Sequence, residues 1–436
     1  MSGRDQAAAS HWQAVEDSHQ RGAIAEAVSH CRQILEADPG FGPAAEYLAA
    51  RAIHEGQPQE AARHLCRAVM TGAHEPRTLY ALAGAARQAG SWRQAAEAYR
   101  ALLQAHPEDC MALLFLSAAL HALGDSERAA KAYSLGSDLG TVYHTLYDSP
   151  ETPEDLRRLI LDADQGLRQT LTRLHGQAVA EVARPDEDLS RMAAAVWVQT
   201  HPEPAAFSHP LQRPWSFYVP GLDARPFFER EEFDWAPDLE KHYPAIRREV
   251  ETALDIEADT QPYLRGAVTG AGEVDHLRDS RAWTSLHLYA DAKENSELRS
   301  RFPATFAALE KVPVVAVDGT PVEAFFSVLQ PGAHITPHFG LANCRVTVHL
   351  PLIVPDHCGL RAGDETRHWR EGRCFIFDDS FDHEAWNHSD RIRIVLIFEV
   401  WHPSLSAAEQ TAIAASFARR QHWLDSRRSA VLDEAI

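Results

Sequence analysis

The chain has 436 residues, of which 45% are hydrophobic and 24% charged, and its formal net charge at pH 7 is −20. At roughly 100 to 200 residues per domain, this length predicts two or three domains, and the composition is that of a folded protein. The negative charge, without a stripe of Lys and Arg, argues against nucleic acid and acidic membranes as partners.

Neither export nor membrane insertion is expected from the sequence. No segment approaches the roughly 20 consecutive apolar residues of a membrane span, and the N-terminal segment has scattered charges in place of the apolar core of a secretory signal. The six cysteines are far apart and form no CxxC pair. We therefore expect reduced thiols and a cytoplasmic protein.

An internal repeat with a period of 34 residues occupies the first third of the chain. Its first column is glycine, at Gly22, Gly56, Gly90 and Gly124. The column five residues later is alanine, at Ala27, Ala61, Ala95 and Ala129. A further column, nine residues after each glycine, holds Cys31, Leu65, Tyr99 and Tyr133. A helix, a turn at the glycine and a second helix packed through the small alanine explain all three columns.

This pattern resembles the tetratricopeptide repeat, with about four copies over residues 8–141. The resemblance implies an α-helical repeat superhelix whose concave face holds a peptide or a partner protein. The alternative is a scaffold that only stabilises or dimerises the rest of the chain. Residues 142–204 are interpreted as a helical connector, with a helical hairpin over residues 151–200.

The pattern changes to β-structure from about residue 311. Short runs of β-forming residues, separated by Gly, Pro, Asp and Asn, appear as VPVVAV, AFFSVLQ, CRVTVHLPLIV, GRCFIFDD and IRIVLIFEVW. They predict a β-sandwich or barrel, which makes the whole chain a multidomain α plus β protein. The remaining residues, 406–436, are predicted to form one or two helices.

Polar residues alternate with apolar ones along several of these strands. Arg345, Thr347 and His349 fall on one face of their strand because side chains in a strand alternate, and Arg393 and Ser327 stand in similar positions. One interpretation is a solvated face. The other is a buried site, because histidines crowd the segments QPGAHITPHFGLANCR and FDDSFDHEAWNHSDRIR, which we interpret as connecting loops.

The first of these segments carries an incomplete iron-binding pattern. Non-haem Fe(II) oxygenases hold the metal with two histidines and a carboxylate. In their usual sequence form the acid follows two residues after the first histidine. His338 fits the first histidine, but the residue at the acid position is Gly340.

The stretches FFSVLQPGAHITPHFGLANCRVTVHLPLIVP and GRCFIFDDSFDHEAWNHSDRIRIVLIFEVWHP resemble the aspartyl/asparaginyl β-hydroxylase family. The resemblance extends over residues 205–405 and implies a double-stranded β-helix, which is a jelly-roll or cupin-like fold. Members of this family lack the carboxylate ligand and bind iron through two histidines. They use 2-oxoglutarate and O2 to hydroxylate the β-carbon of Asp or Asn in a peptide or protein.

Carried onto this chain, the resemblance makes His338 and His383 the ligands of Fe(II). Arg393 then pairs with the distal carboxylate of 2-oxoglutarate, because a guanidinium binds a carboxylate with two hydrogen bonds. Ser327 and His349 complete that pocket, and Trp283 is also assigned to it. The catalytic set is therefore His338, His383 and Arg393.

Two points stay open at the level of sequence. Four acids near the second histidine could supply a third metal ligand, although we do not favour this; they are Asp378, Asp379, Asp382 and Glu384. Asp378 and Asp379 follow a strand, and we expect them to fix the turn or to orient a histidine. Animal members carry an arginine where this chain has Thr347, so the substrate of this protein can differ from theirs. The role of Arg345 also stays open, since it can be functional or structural. The alternatives to a peptide hydroxylase are an oxygenase acting on a lipid or small molecule and a non-catalytic repeat adaptor.

Overall fold

The computed structural model describes residues 3–266 and 272–434. By its contacts the chain divides into two compact units, Met1–Arg173 together with Arg419–Ile436, and Leu174–Ala418. Each unit has a hydrophobic core of its own. Within the described residues, no helix is long and apolar enough to cross a membrane.

The first unit is helical throughout its described part. Successive helices pack as pairs, α1 with α2, α3 with α4, α5 with α6 and α7 with α8. The helices that lie wholly within it are α1 Gly3–Gln20, α2 Ile24–Ala37, α3 Gly42–His54, α4 Pro58–Met70, α5 Pro76–Gln88, α6 Trp92–Ala105, α7 Cys110–Ala122, α8 Ser126–Asp138 and α9 Val142–Asp148.

The 34-residue period of the sequence is a structural period as well. Each glycine of the first column has a positive φ, 75°, 71°, 70° and 83° in chain order. The residue after each glycine donates its backbone N–H to the carbonyl five residues earlier, in the pairs Ala23–Ser18, Gln57–Ala52, Ser91–Ala86 and Asp125–Leu120. This is the bond that ends a helix at a left-handed glycine. The alanines of the second column are buried, as close helix packing requires.

The expected helical hairpin over residues 151–200 is wrong. One helix, α10 Glu154–Val182, covers most of that segment, and a short helix α11 Ser190–Ala193 and a strand β1 Val196–Trp197 follow it. Gly166 and Gly176 lie inside α10 and remain helical, because glycine weakens a helix but does not break it as proline does. The C-terminal segment forms a single helix, α15 Ala407–Leu432.

The second unit contains antiparallel β-sheets with short helices. Its remaining helices are α12 Ala236–Ala253, α13 Ile256–Asp259 and α14 Pro303–Leu309. Its remaining strands are β2 Phe217–Tyr218, β3 Phe227–Phe228, β4 Gln261–Pro262, β5 Trp283–Ala290, β6 Lys293–Glu294, β7 Ala316–Val317, β8 Thr320–Pro321, β9 Ala324–Leu329, β10 His334–His338, β11 Arg345–Ile353, β12 Cys358–Ala362, β13 Glu365–Arg367, β14 Phe375–Phe377, β15 His383–Asn387 and β16 Arg393–Trp401.

Two of these sheets build the core of the unit. The larger sheet has the order β3-β14-β11-β16-β9-β5-β4, and the smaller one has the order β10-β15-β12-β13. One face of the larger sheet packs on α12 and α14 through Val346, Val348 and Leu350, as the alternation predicts. Its other face packs on the smaller sheet, since one apolar cluster contains residues of both. The predicted β-rich second domain is confirmed in this form.

Two segments that we interpreted as loops contain strands. β10 lies within QPGAHITPHFGLANCR and β15 lies within FDDSFDHEAWNHSDRIR, and the two strands pair with each other. Neither segment is rich in β-forming residues. Their strand conformation comes from pairing across about 50 residues of sequence, which local propensity does not register.

Candidate active site

A cavity of about 500 Å³ lies within the second unit, lined by residues of both sheets. All six residues assigned to metal or cosubstrate from the sequence line it: His338, His383, Ser327, His349, Arg393 and Trp283. The polar faces of β9, β11 and β16 are therefore turned toward a cavity. The interpretation of these faces as solvated does not hold, because Arg393 is 1% exposed.

His338 and His383 lie opposite each other in the β10–β15 pair. Their ring centroids are 4.1 Å apart. The Nδ1 of His338 is 2.8 Å from the carbonyl of Thr336, and the Nδ1 of His383 is 2.9 Å from the carbonyl of Phe381. A carbonyl can only accept, so each Nδ1 carries the proton and each Nε2 keeps its lone pair.

Burial also keeps both rings neutral. It lowers the pKa of His338 to about 3, with the neighbouring His383 adding to the effect, and it lowers the pKa of His383 to about 4. A neutral imidazole with a defined tautomer is the form that ligates a metal. Across the described residues, no group of three or more His, Cys, Asp or Glu is arranged to hold a metal ion. Both histidines thus have the protonation state that a metal ligand requires.

The space beside Gly340 is filled by the side chain of Asp379. A Cβ placed on Gly340 would overlap with the Asp379 carboxylate, and the backbone N–H of Gly340 donates to the Asp379 carbonyl at 2.7 Å. Burial raises the pKa of Asp379, whereas the charge of Arg345 opposes the rise. A carboxylate thus stands next to the position where the usual iron triad has its acid, but it comes from another segment of the chain.

The other three acids near His383 have partners of their own. Asp378 accepts hydrogen bonds from the backbone N–H and hydroxyl of Ser380 and from Gln212 at 2.8 Å. Burial raises the pKa of Asp378 to about 7. Asp382 and Glu384 both pair with Arg361. The contacts of Asp378 hold the turn before β15, which is the role that we expected for it from the sequence.

Ser327 connects Trp283 to Arg393. The Oγ of Ser327 accepts hydrogen bonds from Nε1 of Trp283 at 3.1 Å and from Nη1 of Arg393 at 3.3 Å. With its oxygen engaged in this way, the hydroxyl hydrogen of Ser327 is available to donate. Trp283 itself stacks on Tyr263, with ring centroids 4.1 Å apart.

His349 is held by Trp369, a residue that no sequence pattern indicated. Nε1 of Trp369 donates to Nδ1 of His349 at 3.1 Å, so the proton of the neutral ring is on Nε2. Burial lowers the pKa of His349 well below its usual range, and the charge of Arg393 lowers it further. His349 therefore presents an N–H donor to the cavity.

Arg393 is a buried cation without a counter-ion among the described residues. Its Nε has no hydrogen-bond partner there, and its guanidinium lies 5.0 Å from the centroid of the Trp369 ring. Burial lowers the pKa of Arg393 to about 10, so the group stays charged at neutral pH. An unpaired buried charge is costly. Arg393, Ser327 and His349 together are suited to an anionic ligand that accepts hydrogen bonds.

The part of the cavity around Arg345 is lined by charged residues of both signs. Its Nη1 pairs with Glu399 at 2.9 Å, and the carboxylates of Asp379 and Glu323 also line this part of the cavity. Glu399 was missed in the sequence, although it follows Arg393 by an even number of residues on β16 and so shares its face. Arg345 is thus held in an ion pair.

Part of the chain is similar in sequence to a known protein family. Residues 240–403 match the family model of aspartyl/asparaginyl β-hydroxylase. These residues form an aspartyl/asparaginyl β-hydroxylase family domain. The hydroxylase-family domain includes both cavity histidines and Arg393.

Several relatives are similar over the same part of the chain. An ornithine lipid ester-linked acyl 2-hydroxylase of Rhizobium tropici is 34% identical over 186 residues, 42% of this chain and 63% of the relative. The human aspartyl/asparaginyl β-hydroxylase is 30% identical over 203 residues, 46% of this chain and 26% of the relative. Human aspartate β-hydroxylase domain-containing protein 2 is 30% identical over 213 residues, 48% of this chain and 56% of the relative. The chain therefore spans less than two thirds of each of these relatives.

Proposed function

We propose that the chain is an Fe(II)- and 2-oxoglutarate-dependent dioxygenase. In the proposed reaction, a substrate C–H bond, O2 and 2-oxoglutarate give C–OH, succinate and CO2. One atom of O2 enters the substrate hydroxyl and the other enters succinate. The observation that carries the proposal is the unpaired, buried Arg393 in the same cavity as two histidines in a metal-ligating tautomer.

The residues present fit Fe(II). His338 and His383 hold their Nδ1 protons on backbone carbonyls and offer Nε2 to a metal. Bound iron would supply the activation of O2, which side chains alone do not provide. Asp379, next to Gly340, is placed to accept a hydrogen bond from a water or another group beside the histidine pair.

The residues present also fit 2-oxoglutarate. Its distal carboxylate would neutralise Arg393 and accept from the Ser327 hydroxyl and from Nε2 of His349. Trp283 and Trp369 hold these two donors in place through indole N–H bonds. The two facing antiparallel sheets that carry these residues support a double-stranded β-helix as the fold of the domain.

The substrate we propose is a side chain of a peptide or protein. Asp and Asn, the residues in the name of the human relative, are the first candidates. We also propose that the helical pairs of the first unit, as tetratricopeptide-like repeats, recruit the substrate or a partner. A full-length His338→Ala variant should bind substrates and hold them without reaction. Wild-type protein should hydroxylate the same substrates. If the bound proteins are not hydroxylated by the wild type, the proposal that the first unit recruits the substrate is contradicted.

A lipid or small-molecule substrate is the second candidate. The Rhizobium relative is named as an acyl 2-hydroxylase. Two apolar residues of the cavity lining, Trp215 and Leu341, are 45% and 52% exposed, and such residues suit an acyl chain as well as apolar peptide side chains. The third hypothesis from the sequence is a non-catalytic adaptor. Such a protein would retain no metal after purification.

The proposal is tested by measuring succinate and product together. Full-length protein, Fe(II), 2-oxoglutarate and candidate substrates should give succinate and a product heavier by one oxygen atom. His383→Ala should abolish both, whereas His388→Ala, which changes an exposed histidine on the same strand region, should retain both. Absence of succinate from the wild-type protein, with and without substrate, would contradict the proposal.

A further inference from the structure

A short segment of the second unit contacts the loops of both cavity histidines. It consists of residues 211–217, which we call the strap. The strap lies before residue 240, where the match to the family model begins, and it ends at the first residue of β2, Phe217. Residues that the family match does not include are therefore bonded to the part of the chain that carries the site.

The first half of the strap pairs with the turn that precedes His383. Two backbone hydrogen bonds of 2.8 Å join them, from the Arg213 N–H to the Ser380 carbonyl and from the Asp382 N–H to the Leu211 carbonyl. Between these bonds, Gln212 forms a β-bridge with Phe381. The Phe381 carbonyl is the group that holds the Nδ1 proton of His383. The strap thus fixes the peptide group that sets the tautomer and the orientation of this ring.

The side chain of Gln212 reinforces this contact. Gln212 is 1% exposed, and its Nε2 donates to the carboxylate of Asp378 at 2.8 Å. Asp378 accepts in turn from the backbone N–H of Ser380, which lies in the same turn. The Oε1 of Gln212 is buried without a partner among the described residues. Gln212 therefore acts here only as a donor, and what it holds is Asp378 and the turn around it.

The second half of the strap pairs with the residues that follow His338. Its N–H groups donate to two carbonyls, Trp215 to Gly340 at 2.9 Å and Ser216 and Phe217 to Leu341 at 2.8 Å and 3.0 Å. Just beyond the strap, the side-chain amide of Asn343 bonds to both the N–H and the carbonyl of Val219, each at 2.8 Å. One stretch of chain is thus anchored to the loops of both histidines.

The sheet by itself holds the two histidines less firmly than a regular strand pair would. The register of the β10–β15 pair shifts between Ile335 and His338, and such an irregularity interrupts the ladder of hydrogen bonds. The two loops are joined directly by the bond from the Gly340 N–H to the Asp379 carbonyl. The strap adds a second connection between them, at the place where the strand pairing is irregular.

We propose that the strap positions the two metal-binding histidines relative to each other, and that Gln212 is a positioning residue for His383. This inference rests on the proposed Fe(II) site and extends it to residues outside 240–403. Loss of the partners that orient metal ligands typically weakens metal binding by about 10- to 100-fold. A loosened strap should therefore weaken metal binding while the protein stays folded.

The variant Gln212→Leu separates positioning from stability. Leucine has a similar size, and it removes the bond to Asp378 together with the unpartnered Oε1. The melting temperature of the metal-free, full-length protein should therefore stay within about 3 °C of the wild type, whereas Fe(II) affinity should fall on the order of tenfold. Gln410→Leu is the control, because it removes one bond of a partly buried glutamine in the same unit, to the Leu405 carbonyl. Its Fe(II) affinity should equal that of the wild type.

The absorption spectrum of Co(II)-loaded protein reports the geometry of the site. At saturating Co(II), the d–d bands of Gln212→Leu should differ from those of the wild type, and those of Gln410→Leu should not. Unchanged Fe(II) affinity or an unchanged spectrum in Gln212→Leu would overturn the inference. A fall in affinity that comes with a large fall in the metal-free melting temperature, or that Gln410→Leu shares, would do so too. A wild-type protein that binds neither metal would overturn the proposed Fe(II) site, and the inference with it.

Discussion

The carboxylate of Asp379 fills the space beside Gly340 in which a side chain at position 340 would lie. Gly340→Asp alone should therefore displace Asp379 and fail to strengthen metal binding. In the double variant Gly340→Asp, Asp379→Ala the new side chain has room, and a third protein ligand should raise Fe(II) affinity by on the order of tenfold. Metal titration of the wild type, both single variants and the double variant measures the coupling between the two positions.

The outcome that contradicts this account is a gain in affinity from Gly340→Asp by itself. Such a gain would mean that Asp379 leaves the space freely. Asp379→Asn provides the control, because it keeps the volume of the side chain and removes only its charge.

Arg393 should contribute to cosubstrate binding and not to stability. In Arg393→Met, loss of the proposed partner of the 2-oxoglutarate carboxylate should weaken 2-oxoglutarate binding by about 3 kcal/mol or more, on the order of 100-fold. The melting temperature without 2-oxoglutarate should stay equal or rise, because a buried, unpaired charge has been removed. Arg391→Met, at an exposed residue before the same strand, is the control. A large fall in melting temperature would show that Arg393 is structural.

Trp369 should act through His349. Trp369→Phe removes the indole N–H that fixes the proton of His349 on Nε2. One lost hydrogen bond of this kind costs about 1–2 kcal/mol, so 2-oxoglutarate binding should weaken roughly 5- to 30-fold. Metal affinity should change little, since neither His338 nor His383 takes part in this bond. Equal weakening of metal and cosubstrate binding would indicate a general disturbance of the cavity.

His402 should make stability depend on pH. Burial lowers its pKa to about 4, and its ring accepts from the Ser404 N–H at 3.1 Å. As the pH falls below about 6.5, His402 therefore gains a proton in the unfolded chain before it gains one in the folded protein. The stability that neutral His402 contributes is complete above pH 6.5 and decreases as the pH falls toward 4, by about 2 kcal/mol between pH 6.5 and 5.

Chemical unfolding at several pH values checks this dependence. His402→Gln should show a shallower loss of unfolding free energy between pH 6.5 and 5 than the wild type. A substitution of His422, which is exposed, should leave the slope as it is. Identical slopes in His402→Gln and the wild type would show that His402 does not cause the pH dependence of stability.

The sequence predicted those features that repeat or alternate locally. The glycines at Gly22 and its equivalents mark helix ends because only a left-handed residue completes the turn there. The face shared by Arg345, Thr347 and His349 follows from the two-residue period of a strand. Both features can be recognised from residues that are close together in the sequence.

The sequence did not predict features that depend on pairing between distant segments. His338 and His383 lie on paired strands that local composition does not indicate. Trp369 reaches His349 from a segment outside the strands, and Asp379 enters the space at Gly340 from a turn 39 residues later in the chain. These contacts depend on the register of the strand pairing and on the path of the loops. Neither produces a periodic pattern in the sequence.

The central claim is that one cavity binds Fe(II) and 2-oxoglutarate together. Calorimetric titration of 2-oxoglutarate into full-length protein loaded with Fe(II) under anaerobic conditions tests it without requiring a substrate. We predict one 2-oxoglutarate bound per chain, with binding that needs the metal, is lost in His383→Ala and is weakened on the order of 100-fold in Arg393→Met. Binding that is absent, or that is independent of the metal and of both residues, would contradict the account.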